Sequence, residues 1–144
     1  MGVLWSQWKD SKSALPEALQ RYLSLVQDFN GGPGAPLKQY PGSPALAQML
    51  MRANDPLRLF ELHPTDERIL SSFLGERPHT KVQMSDGFAG LARELPPPSR
   101  RGVVLIDPSY ELKGDYGKVV AAVREVMVKF AQAVVIVWYP LVQL

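Results

Sequence analysis

An α/β fold with a mostly parallel sheet is the class this sequence predicts, and three observations predict it. Short apolar runs alternate with helical patterns from residue 44 onward, the signature of right-handed βαβ units. The runs at 102–106 and 133–138 are apolar almost throughout, as buried strands of a parallel sheet are. Each run is followed by a polar or aromatic residue, and ligands bind at that carboxyl edge of open α/β sheets.

The elements follow in order. A short apolar piece, Val3-Leu4-Trp5 with Trp8, predicts a turn or two of helix. Over 13–29, Leu15, Leu19, Tyr22, Leu23, Leu25, Val26 and Phe29 recur at helical spacing. Asn30-Gly31-Gly32-Pro33-Gly34 ends that helix, because Asn and Gly accept the left-handed conformation of a C-cap. A helix over 44–52 places Pro44 near its first turn. Strands are expected at 57–61, 80–84, 102–106 and 133–138. Between them, Thr65 caps a helix to about residue 74, and Asp86-Gly87 starts one to about residue 94. Pro96-Pro97-Pro98 is a stiff connector. Residues 116–130 carry an amphipathic helix, and no internal repeat is evident. The domain organisation expected is a partial helical segment, 1–38, followed by an α/β core, 39–144.

Composition narrows the chemistry. A chain of 144 residues can build one domain with a modest core. No run approaches the roughly 20 apolar residues that span a bilayer. The first residues lack the pattern of a signal peptide, and Met1-Gly2 with Ser6 is only a minimal myristoylation pattern. A cytoplasmic protein is expected. Without cysteine there is no disulfide, thiolate zinc site or cysteine nucleophile. Two histidines, His63 and His79, do not make a usual zinc cluster unaided. A net charge of +2 leans mildly toward an anionic partner.

In a parallel sheet the expected strands deliver Glu61, Ser85-Asp86, Asp107 and Trp138-Tyr139 to one edge. An acid after the second strand of a nucleotide-binding fold accepts hydrogen bonds from ribose hydroxyls, which suits Glu61. Asp86-Gly87 suits an adenine contact, where Gly lets a ligand approach the backbone. Both acids equally suit helix capping. His63 reads as a loop residue or a satisfied, partly buried histidine, Trp138 and Tyr139 as core and rim, and Arg100-Arg101 as a solvated pair. The Asp107-Pro108-Ser109-Tyr110 turn is more pointed. An acid, a proline carbonyl and an aromatic ring after a buried strand suit a planar base carrying an exocyclic amine.

That turn resembles the Asp-Pro-Pro-Tyr motif of S-adenosylmethionine-dependent amino-methyltransferases, with Ser109 in place of the second proline. Tyr40-Pro41-Gly42-Ser43-Pro44, Glu61-Leu62-His63-Pro64, Ser85-Asp86-Gly87-Phe88, Ser99-Arg100-Arg101-Gly102 and Trp138-Tyr139-Pro140 extend the likeness. In that order they resemble the bacterial 23S rRNA adenine-N6 methyltransferases of the large-subunit J type, across essentially the whole chain. The resemblance implies a Rossmann-like class I methyltransferase core with part of an inserted helical subdomain over 1–38. It implies S-adenosylmethionine contacts from Ser43, Glu61, Asp86, Gly87 and Asp107. It assigns the chemistry to Asp107, Pro108 and Tyr110, without a metal. The partner implied is 23S rRNA, and the protein is expected to be a monomer.

One departure from the family pattern is large. The opening strand and Gly-rich loop of class I methyltransferases are not found, since Gly31–Gly34 follows a helix. Nor are the family's later strands. The chain therefore reads as an internal fragment, expected to be inactive alone. The alternative is a non-catalytic RNA-binding or interaction module of the same fold. A dehydrogenase is disfavoured because no G-x-G-x-x-G follows a strand.

Overall fold

The structure is a computed structural model that describes residues 15–141. The expected helical piece around Val3–Trp8 lies outside the described residues. Among those described, one compact unit holds 15–57 with 77–79, and a second holds 58–76 with 80–141.

In the first unit, helix α1 (Glu17–Phe29) starts directly after Pro16 and buries Leu23 and Val26. These two residues are three apart and so share one helix face. The left-handed residue at its end is Gly31 (φ +103°), whereas Asn30 keeps φ at −91°. Asn30 is used differently from the expectation. Its amide nitrogen donates to the Val26 and Gln39 carbonyls, and its oxygen accepts from Lys38 and Gln39 N–H. One side chain thus closes the helix and pins the returning segment. Helix α2 (Ser43–Leu50) carries Pro in its first turn and buries Ala45. The Arg77 guanidinium donates to the Gln48 and Met51 carbonyls at its far end, where a cation complements the helix dipole.

The chain then alternates: β1 (Leu57–Glu61), α3 (Pro64–Leu74), β2 (Thr80–Met84), α4 (Gly87–Glu94), β3 (Val103–Ile106), α5 (Gly114–Lys129) and β4 (Val134–Val137). The four expected strands are all present. They do not form one continuous sheet: β1 pairs with β2, and β3 with β4. The second pair is parallel, with Val103 opposite Val134 and Ile106 opposite Val137. Strand positions are local information, but pairing is not, which is why the periodicity did not reveal the break. Helix α3 begins at Pro64 with His63 as its N-cap, so Thr65 is not the cap. Proline's fixed φ suits the first helical position and sets the start two residues early.

Helix α4 lies against both strand pairs. Gly87 and Gly90 face Phe60 of β1, and a Cβ on Gly90 would come within 2.2 Å of the Phe60 ring. Phe88 and Leu91 pack on the core cluster of Ile106, Val119 and Ala122. Val104, Val135 and Val137 join that cluster from the same face of β3 and β4. On the opposite face, Val103 and Ile136 remain 65% and 48% exposed, with Val134 and Leu105 beside them. The strands read as buried are therefore covered on one face only, among the described residues. None of the described helices is long and apolar enough to cross a membrane.

Candidate functional site

Strand register sets the site. The Leu57 N–H donates to the His79 carbonyl at 3.0 Å, so β1 and β2 start level. Both have five residues, so Glu61 and the Met84–Asp86 segment also leave level. In the other pair, Trp138 N–H donates to the Ile106 carbonyl at 3.0 Å. Asp107 and Trp138 thus leave β3 and β4 side by side.

Glu61 is half-buried at the end of β1. Its Oε1 accepts the His63 N–H at 2.8 Å, which aims the carboxylate at the turn and leaves Oε2 for another donor. His63 is exposed, with Nδ1 3.6 Å from Asp66, so it belongs to the helix start and not to a buried catalytic pair. Asp86 is the N-cap of α4, and its Oδ1 accepts the Phe88 N–H at 2.8 Å. The capping role is therefore real, and Oδ2 is left over. Gly87 was expected to let a ligand approach. Here its missing side chain makes room for Phe60, whose Cβ would lie 3.2 Å from an added Cβ. Just before it, Ser85 Oγ and Gln83 Nε2 are buried without a hydrogen-bond partner. Sequence reasoning missed this pair. Gln83 lies in β2 and Ser85 just after it, but burial without a partner leaves no mark in the sequence. Unsatisfied buried polar atoms are rare and call for a partner that a ligand can supply.

Asp107 follows β3 directly and is exposed. No hydrogen bond or ion pair engages its carboxylate among the described residues, in contrast to Glu61 and Asp86. Pro108 is half-buried beside it. Tyr110 adopts φ +55°, the left-handed region that non-glycine residues occupy only where their surroundings hold them. Its Oη donates to the Trp138 carbonyl at 2.7 Å, which ties the turn after β3 to the end of β4. Partial burial raises the Tyr110 pKa, and the nearby Tyr116, Asp107 and Asp115 raise it further. The hydroxyl is thus kept neutral and able to donate. The Trp138 contribution is a backbone carbonyl, for which its strand-end position was the only sequence signal. The Trp138 side chain itself is 67% exposed, so it is rim and not core.

Ser43 is the first residue of α2 and is exposed. It stands in the first compact unit, whereas Glu61, Asp86, Gly87 and Asp107 stand in the second. Arg100 and Arg101 are both exposed, as the solvated-pair reading expects.

Three comparisons bear on this arrangement. A family model described as ribosomal RNA large subunit methyltransferase D, RlmJ, matches residues 4–144. The chain is 44% identical over 128 residues to ribosomal RNA large subunit methyltransferase J of Escherichia coli K12, covering 89% of this chain and 45% of that protein. It is 42% identical over 142 residues to the Haemophilus influenzae protein of the same name, covering 99% of this chain and 48% of that one. The chain therefore spans about half the length of the curated relatives it matches. The crystal structure of protein LPL1258 from Legionella pneumophila str. Philadelphia 1 superposes with a TM-score of 0.81 at 36% identity, covering 97% of this chain and 50% of that one.

Proposed function

The chain belongs to the family described as ribosomal RNA large subunit methyltransferase D, RlmJ, and from that premise we propose that it carries the methyl-acceptor side of an enzyme that methylates N6 of an adenosine in 23S rRNA. The donor is S-adenosylmethionine, and the enzyme acts as a monomer in the cytoplasm. The observation that carries this reading is Asp107. It is the one strand-end acid of the three whose carboxylate is exposed and unengaged among the described residues, next to the Pro108 carbonyl and the held ring of Tyr110.

The residues present fit the donor. Glu61 Oε2 suits the ribose hydroxyls and Asp86 Oδ2 the adenine amine. The orphaned Ser85 Oγ and Gln83 Nε2 offer further polar contacts beside Asp86. The backbone at Gly87 also belongs to the set the resemblance names. When bound, S-adenosylmethionine supplies an electrophilic methyl group on a sulfonium.

The protein's task is then to make a poor nucleophile better. The exocyclic amine of adenine delocalises its lone pair into the ring. The Asp107 carboxylate and Pro108 carbonyl accept its two N–H bonds, which favours a pyramidal nitrogen and localises the lone pair. Asp107 also stabilises the positive charge that develops on that nitrogen and can take the proton it sheds. Positioning and electrostatics supply the acceleration. Tyr110 stacks on the extruded base, a contact worth roughly 1–3 kcal/mol in other base–aromatic pairs. No metal enters this scheme.

The test is a graft. The chain replaces the matched region of the Escherichia coli relative, and the product formed on unmodified 23S rRNA is identified by nucleoside mass spectrometry. N6-methyladenosine is the expected product. A methyl group on another base or another atom would refute the assignment.

A further inference from the structure

Tyr110 is anchored at both ends of its long axis, by its own backbone and by the bond from Oη to the Trp138 carbonyl. Those two anchors leave one freedom. The phenolic oxygen lies on the axis through Cβ, Cγ and Oη, so the ring can turn about that axis without moving the oxygen. The hydroxyl bond therefore fixes where the ring lies but not the direction its plane faces. A stacking surface is useful only if its plane is set, because a base stacks on a face and not on an edge.

The group placed to set that plane is Tyr116, in the first turn of α5. The two ring centroids are 4.8 Å apart with planes tilted by 45°, inside the range of favourable aromatic pairs. Tyr116 sits on a helix anchored by buried Asp115 and Val119, so it is a firm prop. Tyr110 also rests on the Ile106, Val119 and Ala122 cluster and keeps part of its surface open. No hydrogen bond engages the Tyr116 hydroxyl among the described residues, so the ring and not the oxygen does the propping.

We infer that Tyr116 is a positioning residue that orients the Tyr110 ring for base stacking. The inference rests on the base-stacking role proposed for Tyr110 and deepens it. Tyr116 touches neither substrate nor donor and acts only through Tyr110.

The experiment uses the chain itself with Tyr116→Phe and Tyr116→Leu. Two readouts are taken on each: the NMR ring resonances of Tyr110, and quenching of a single-stranded oligoribonucleotide carrying 2-aminopurine, which reports stacking. Fluorescence anisotropy of the same oligonucleotide reports binding separately, and far-UV melting checks the fold. Tyr116→Leu should remove the ring-current shift on Tyr110 and lower quenching of the bound oligonucleotide several-fold. Tyr116→Phe should keep both near the unsubstituted values. Unchanged Tyr110 resonances and unchanged quenching in Tyr116→Leu would overturn the inference. Quenching absent even from the unsubstituted chain with oligonucleotide bound, while Tyr116→Leu still shifts the Tyr110 ring, would overturn the base-stacking reading and the functional part of the inference with it.

Discussion

Two glycines, both inside helices of the second unit, should respond to the same substitution with opposite signs. Ala is favoured over Gly in a helix interior by about 1 kcal/mol. At Gly117 in α5 an added Cβ meets nothing within 4 Å, so Gly117→Ala should stabilise by up to that amount. At Gly90 in α4 the added Cβ would lie 2.2, 2.7 and 2.8 Å from three atoms of the Phe60 ring. That ring must move, or α4 must lift from β1. Overpacking of this kind costs about 1–3 kcal/mol. The helix-propensity gain is common to both variants, so their difference isolates the clash at about 1–3 kcal/mol. Urea unfolding of the two variants measures it, with unchanged m-values as the check that the unfolded state is the same. Phe60→Leu removes the clashing ring atoms and should abolish most of the difference. If Gly90→Ala stabilises as much as Gly117→Ala, α4 does not pack on β1 as described, and Asp86 is not where the site requires it.

The other predictions concern the site directly. Asp86→Ala should cost about 1 kcal/mol through the lost cap, whereas Asp86→Asn keeps the cap; both should weaken donor binding in the graft, measured by calorimetry. Asp107→Asn should leave stability within about 0.5 kcal/mol, because an exposed and unengaged carboxylate supports nothing in the fold. Tyr110 has a raised pKa, so the folded state holds its phenolic proton more tightly than the unfolded state. Its contribution is fully present below the unfolded value of about 10 and is lost as pH rises through the folded value. Tyr110→Phe should accordingly flatten part of the alkaline loss of stability in melting curves taken across that range. The chain on its own should not methylate rRNA, since the Val103–Ile136 sheet face is bare among the described residues; measurable product from the chain alone would contradict this.

Much of the fold was legible because strand and helix patterns are local. The apolar runs ending at Glu61, Met84, Ile106 and Val137 are strands in the structure. The Asp107 turn stood out because it follows an apolar strand and so stands at the carboxyl edge where ligands bind in α/β sheets. What stayed hidden depends on partners distant in sequence. The split into two strand pairs, the fit of Gly87 and Gly90 against Phe60, and the Tyr110–Trp138 bond all join residues 22 or more apart. Asn30 was placed at the right boundary for a different reason, since its side chain bonds the returning chain and Gly31 takes the left-handed turn. The Rossmann-like methyltransferase class came from the motifs and their order, and the family match over 4–144 supports it.

The most direct test of the central claim is methyl transfer by the graft with Asp107 intact and with Asp107→Asn, using labelled S-adenosylmethionine and unmodified 23S rRNA. The intact graft should form N6-methyladenosine. The Asn variant, equally folded and still binding the donor, should be slower by on the order of 100-fold or more. Equal rates for the two would contradict the account, because the turn at the end of β3 would then not carry the chemistry.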